Sequence, residues 1–141
     1  MSETKIRVRY AETDQMKMVY YARYFEYFEQ ARSDLLRQIG MSYPEIERLG
    51  FYLPVIEAHA NYFKPARYDD PLVVKVIVSE VPQARIRIDY KIVIDGQEKA
   101  LANGHTIHTF VSAATGKPTR APEQFLKLFH ESFNAHIVIA P

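Results

Sequence analysis

The chain has 141 residues and a mass of 16.4 kDa, with 48% hydrophobic and 25% charged residues. This composition predicts one folded domain over residues 1–141 and excludes a disordered segment. Lys and Arg number 18 against 17 Asp and Glu, a formal charge of +1 that offers no electrostatic ground for a nucleic-acid partner. There is no cysteine, which excludes a disulfide scaffold, a thiolate nucleophile and Cys-ligated zinc, and suits a reducing cytoplasm.

The N-terminus, MSETKIRVRY, has no apolar run of signal-peptide length, and no stretch approaches the ~18 apolar residues of a membrane-spanning helix. A soluble protein with no membrane span is expected. Residues 4–10 alternate, with Ile6, Val8 and Tyr10 opposed to Arg7 and Arg9, as in a half-buried strand. A polar turn, Ala11 to Gln15, follows. From about Val19 to Ile39, Tyr21, Tyr24, Phe25, Phe28, Ala31, Leu35, Leu36 and Ile39 recur at three and four residues, which predicts a long helix ended by Gly40. At ~1.5 Å per residue it spans about 30 Å, so its broad apolar face needs a large surface such as a wrapped sheet. Ser42 and Glu45 have capping-box spacing, with Pro44 in the first turn, and predict a short helix from Tyr43 to Leu49.

Strands follow: Leu53–Phe63, Val73–Val81, Ile86–Ile94 and Lys99–Ser112, with Asp95-Gly96 as the hairpin turn between the last two. Ala113 to Arg120 reads as a loop, and Pro122 opens a helix through about Phe133. The tight connections predict an antiparallel sheet, and the element order an α+β fold around a central helix.

The chain lacks G-x-S-x-G, a P-loop and G-x-G-x-x-G, so no nucleophile elbow or nucleotide cradle is expected. His105 and His108 resemble a metal pair, but an odd spacing on a strand puts them on opposite faces. His59, His130 and His136 have no partner visible in the sequence, and no metal site is expected. The turn before the long helix holds Glu12, Thr13 and Asp14, and Val19, Tyr20 and Tyr21 open the helix. Free N–H groups at a helix start can hold an oxyanion, and a nearby carboxylate can attack a carbonyl or activate water. An Asp there also fits plain helix capping, and the spacing leaves both readings open.

The string RYAETDQMKMVYYARYFEYFEQAR, Arg9 to Arg32, resembles the opening motif of hotdog-fold acyl-CoA thioesterases of the 4-hydroxybenzoyl-CoA thioesterase-like, or YbgC-type, family. YFKPARYDDPL, Tyr62 to Leu72, is similar to that family's second segment, and Gly116, Pro118 and Pro122 fall where it has a Gly-x-Pro and a closing Pro. The resemblance implies a hotdog fold, a curved antiparallel sheet wrapped around one long helix. It implies that Asp14 is the catalytic carboxylate, that the Tyr21 backbone N–H polarises the thioester carbonyl, and that Tyr20 lines the pocket. Lys17 stands where the family usually has Gly, and is read either as a solvated charge or as a contact for an anionic acyl group. Arg23 stands where the family often has Asn.

Arg85, Arg87, Lys117 and Arg120 are the candidates for the phosphates of coenzyme A, which is part of substrate and product; no separate cofactor is expected. The Tyr and Phe content near the helix start suits an aromatic or medium-chain acyl group. The resemblance also implies a homo-oligomer, dimer or tetramer, with sites at the dimer interface. The alternatives are a thioesterase acting on acyl-carrier protein, or a non-catalytic acyl-CoA-binding module disabled at Lys17.

Overall fold

The computed structural model describes residues 2–139, with side chains described through Ser132. The elements are β1 (Ser2–Arg7), α1 (Arg23–Ile39), α2 (Tyr43–Arg48), β2 (Phe51–Tyr52), β3 (Val55–Tyr62), β4 (Pro71–Ile77), β5 (Arg85–Ile94), β6 (Ala102–Ser112), β7 (Pro118–Thr119) and α3 (Glu123–Ile139). The strands form one seven-stranded sheet in the order β1-β4-β5-β6, with β3 alongside β6 and the short β2 and β7 near its end. Every pairing is antiparallel.

Alternation decides the faces. Ile86, Ile88, Tyr90 and Ile92 on β5 are buried, while Arg85 and Arg87 are exposed. Tyr90 lies opposite Gly104 of β6, and Phe28 of α1 stacks on the Tyr90 ring at 4.4 Å with an interplanar angle of 12°. Gly104, Thr106 and His108 therefore face the helix, and His105 faces away. A Cβ at Gly104 would sit 2.2 Å from the His59 carbonyl oxygen and 2.9 Å from the Phe28 ring, so this crossing tolerates no side chain. Tyr24, Tyr27, Phe28, Ala31, Leu35, Leu36 and Ile39 are buried along α1. Each large apolar side chain among them contributes about 2 kcal/mol of burial. The sheet curved around α1 is the hotdog arrangement expected from the resemblance.

Several boundaries differ from the sequence reading. The first strand ends at Arg7: Val8 stays buried, but Tyr10 begins a 3-10 turn and is exposed, because the chain bends there toward the helix. The long helix starts at Arg23, not Val19. Val19 forms an antiparallel bridge with Thr13, its N–H donates to the Ala66 carbonyl and the Tyr20 N–H donates to the Glu12 carbonyl, and these bridges hold the stretch out of helical conformation. Ser42 makes no side-chain cap; Glu45 pairs with Arg48 instead, and the Ser42 carbonyl accepts from the Ile46 N–H. The strand expected over Leu53–Phe63 is observed as β3 from Val55 to Tyr62, and the short β2 precedes it across Leu53 and Pro54, which has no N–H to give a ladder. The loop after Ser112 contains β7, and α3 runs on to Ile139.

Gly40 ends α1 at φ +100°, and Gly96 carries the expected hairpin turn at φ +83°. Among the described residues no helix is long and apolar enough to cross a membrane, and no group of three His, Asp or Glu side chains is placed to hold a metal. His59 does have partners: it stacks on His105 at 5.5 Å and lies 3.2 Å from Asn61 Oδ1. The reading of His136 lies outside the described side chains.

Arg32, one turn after Phe28, is buried and pairs with no carboxylate among the described residues. Its Nε donates to the Tyr43 hydroxyl at 2.6 Å and its Nη1 to the Tyr90 hydroxyl at 3.2 Å. Tyr90 Oη lies 2.6 Å from Thr106 Oγ1, Thr106 Oγ1 lies 2.9 Å from His108 Nε2, and His108 Nδ1 lies 3.3 Å from the Leu53 carbonyl. Arg32 and the Leu53 carbonyl fix the direction at both ends. Tyr90 donates to Thr106, Thr106 donates to Nε2, and Nδ1–H donates to Leu53, which requires a neutral imidazole.

Burial first, and the Arg32 charge second, push the His108 pKa from 6.5 down to about 4. Between these values the unfolded chain holds the proton and the folded chain does not, so stability falls as pH falls through that window. From pH 7 to pH 5 the loss expected from His108 is about 2 kcal/mol, read as a lower urea midpoint. His108→Gln flattens that dependence; an equally steep dependence in the variant contradicts the assignment.

Candidate active site

The segment from Arg9 to Ala22 forms a series of tight turns. The Asp14 N–H donates to the Met18 carbonyl at 2.8 Å, and the Lys17 N–H donates to the Asp14 carbonyl at 3.0 Å. Asp14 Oδ1 accepts from the N–H groups of Met16 at 2.8 Å and Met18 at 3.2 Å. The carboxylate thus caps its own turn and not α1, which begins nine residues later. Its Oδ2 is not engaged by any described residue and faces outward on an exposed loop.

The turn then pairs with the segment after β3. Val19 N–H donates to Ala66 O at 2.9 Å, and Tyr68 N–H to Lys17 O at 3.2 Å. A second turn follows, closed by Arg23 N–H on Tyr20 O and Tyr24 N–H on Tyr21 O. Among the described residues, the N–H groups of Tyr21 and Ala22 meet no acceptor. These are the free donors that a helix start presents, together with its partial positive charge.

An open cleft of about 300 Å³ lies beside them. Met18, Val19, Tyr21 and Tyr24 form one wall, and Tyr62, Phe63, Lys64 and Pro65 the other. The walls are tied together. The Tyr62 hydroxyl donates to the Tyr21 carbonyl at 3.2 Å, and the Tyr24 hydroxyl accepts from the Ala66 N–H at 3.1 Å. Burial pushes the Tyr24 phenol above its ordinary pKa, so it stays protonated at neutral pH.

Of the residues singled out in the sequence, Asp14, Lys17, Tyr20 and Tyr21 share this loop. Tyr20 is half-exposed, its ring 4.7 Å from that of Tyr21, and it is not among the lining residues of the cleft. Lys17 is exposed at φ +62°, the left-handed conformation that a Gly would supply. The loop therefore closes with Lys in place. Arg23 pairs with Glu26 at 3.0 Å.

The four basic candidates lie elsewhere in the chain. Arg85 pairs with Thr109 on β6, whereas Tyr62 at the cleft pairs with Ala102, seven residues or about 23 Å along the strand. Arg87 is paired with Asp89 at 3.2 Å. Lys117 and Arg120 flank β7, which also pairs at the far end of β6. Nothing in the periodicity singled out Tyr24, Tyr62, Phe63 or Lys64 as lining residues. The stretch from Tyr62 to Leu72 carried the family resemblance, but its packing against the Asp14 loop is a long-range contact.

The family model described as Thioesterase-like superfamily matches residues 8–129, and the chain belongs to that family. It is 31% identical to the putative acyl-CoA thioesterase YneP of Bacillus subtilis, over 96% of this chain and 95% of that protein. It is 30% identical to the acyl-CoA thioesterase YbgC of Haemophilus influenzae, over 89% and 91%. The solved DHNA-CoA thioesterase from Staphylococcus aureus superposes with a TM-score of 0.84 at 31% identity, over 98% of this chain and 91% of that one.

The backbone at Lys17 gives a direct test of local strain. A left-handed non-Gly residue costs about 1 kcal/mol, partly offset by the larger unfolded-state freedom of Gly. The net gain for Lys17→Gly is about 0.5 kcal/mol, which is expected to raise the melting temperature by about 1–2 °C. A clearly lower value in a thermal scan would show that strain at Lys17 is smaller than the entropic cost of Gly.

Proposed function

We propose that the protein hydrolyses an acyl-CoA thioester to the free acid and coenzyme A. The observation that supports this reading is that one irregular segment carries both the anchored Asp14 turn and the Tyr21 and Ala22 N–H groups, which meet no acceptor among the described residues, with Tyr21 itself lining a tyrosine-rich cleft. The acyl group occupies the cleft, whose aromatic walls suit an aromatic or medium-chain group. The thioester oxygen takes the Tyr21 N–H, which stabilises the charge that develops on it. Asp14 Oδ2 either attacks the carbonyl carbon or takes a proton from an attacking water. The thiolate leaves readily, so no strong acid is needed. Tyr20 flanks the mouth of the site, and no cofactor beyond the coenzyme A moiety takes part.

A second copy of the chain completes the site in this reading. β3 is exposed along almost its whole length and has one unpaired edge, with Val55, Ile56, Tyr62 and Phe63 exposed on or beside it. Antiparallel pairing of two β3 edges would set the Val55 end of one beside the Tyr62 end of the other. Arg85, Lys117 and Arg120, with Arg87 behind them, would then approach the opposite cleft, where the phosphates of coenzyme A emerge. The closure of the loop at Lys17 favours a working site over a disabled binding module.

Thiol release from short, long and aromatic acyl-CoA esters tests the proposal. Turnover of at least one ester is expected, and Asp14→Asn should lower kcat by about 100-fold or more in folded protein. Absence of turnover with every ester by folded wild type would overturn the reading, and transfer to an acyl-carrier-protein substrate would then be the alternative.

A further inference from the structure

We infer that Glu12 is a positioning residue, a buried clamp that holds the Asp14 turn and the Tyr20–Tyr21 turn in one fixed relation; the inference rests on the reading of Asp14 and the Tyr21 N–H above. Glu12 is 7% exposed although it stands on a surface loop. A buried carboxylate is costly unless its lone pairs are engaged, and here they are. Oε1 accepts from the Arg9 N–H at 2.9 Å and from the Tyr27 hydroxyl at 3.0 Å. Oε2 accepts from Arg9 Nε and Nη2, both at 3.3 Å. The Glu12 backbone carbonyl accepts the Tyr20 N–H at 3.0 Å.

Three separate segments therefore meet on one residue. Arg9 ends the run out of β1, Tyr27 lies in the second turn of α1, and Tyr20 opens the turn with the free donors. Burial and the Glu12 carboxylate both push the Tyr27 phenol well above its ordinary pKa, so it remains a donor throughout the physiological range. By taking the Tyr20 N–H, Glu12 also leaves Tyr21 as the first free donor of the series. Asp14 follows two residues later, so any slip of Glu12 against the helix moves the carboxylate against the oxyanion donor. Neither Glu12 nor Tyr27 lines the cleft, so both act through other residues. Misplacement of reacting groups by about 1 Å costs on the order of 100-fold in rate.

The test compares wild type with Glu12→Ala, Glu12→Gln and Tyr27→Phe, each assayed well below its own melting temperature. Glu12→Ala is expected to lower kcat by about 100-fold with KM within about twofold, and Tyr27→Phe by about tenfold. Glu12→Gln keeps an oxygen for the Arg9 N–H and the Tyr27 hydroxyl and should restore most of the loss. Hydrogen exchange supplies a readout independent of substrate: the Tyr20 and Met18 amides should exchange faster in Glu12→Ala while the amides of α1 keep their protection.

Wild-type kcat in folded Glu12→Ala overturns the inference, as does a loss of activity matched by equal loss of protection in α1. If Glu12→Ala does not fold, Tyr27→Phe decides, and an unchanged kcat there overturns it. If wild type cleaves no ester, the proposed function fails on its own. Unchanged exchange at Tyr20 and Met18 would then overturn the clamp separately.

Discussion

The structure depends on the close crossing of α1 over the sheet at Gly104. Phe28 can lie flat on Tyr90 only because β6 presents a bare backbone at that point, and the neighbouring β3 carbonyl leaves no room for even a methyl group. The depth at which the helix sits follows from this contact. Arg32, one turn on, is thereby carried into the sheet, where the hydroxyl groups of Tyr43 and Tyr90 meet it. Tyr24 and Tyr27, one turn back, are brought against the segment after β3 and the loop after β1. Burial of aromatic area supplies the energy, and the missing side chain supplies the geometry.

The candidate site is an outcome of that depth. The chain between β1 and the helix runs through two turns, each closed by backbone hydrogen bonds. One turn holds Asp14 by a single carboxylate oxygen, and the other leaves two N–H groups without acceptors. The reactive groups thus come from segments excluded from regular structure, while the walls come from the helix and the end of β3. A rigid frame carrying irregular, chemistry-bearing loops is a common division of labour in enzymes.

The fold was largely legible in the sequence because its periodicities are local. The alternation from Arg85 to Ile94, the three-and-four spacing through Ile39, the Gly40 stop and the Asp95-Gly96 turn each express a preference of neighbouring residues. The start of the helix was not legible. Val19 and Tyr20 have helical spacing, but bridges and hydrogen bonds to Thr13, Ala66 and Glu12, one of them far along the chain, hold the stretch out of helical conformation. Pro54 hid a break inside an apolar run for a related reason, since its missing N–H acts only once β6 lies alongside. Asp14 and Tyr21 stand out in the sequence through a motif, and the structure places both in the irregular segment before α1. Tyr62, Lys64 and the burial of Glu12 were not, because each depends on contacts made after folding. Arg85, Arg87, Lys117 and Arg120 follow from charge and from the resemblance, which implies cations on the sheet and loops near a dimer interface, and neither says which end of a strand a residue occupies.

The hydrogen-bonded row from Arg32 to the Leu53 carbonyl has a single direction, because one end can only donate and the other only accept. The hydroxyl hydrogens of Tyr90 and Thr106 cannot rotate without breaking the bond each donates, and both residues are buried. Hydrogens held in this way leave the solvent pool and become long-lived enough to observe as individual proton resonances. The seating of the helix on the sheet therefore carries its own spectroscopic marker, silent in the unfolded chain and readable without any label.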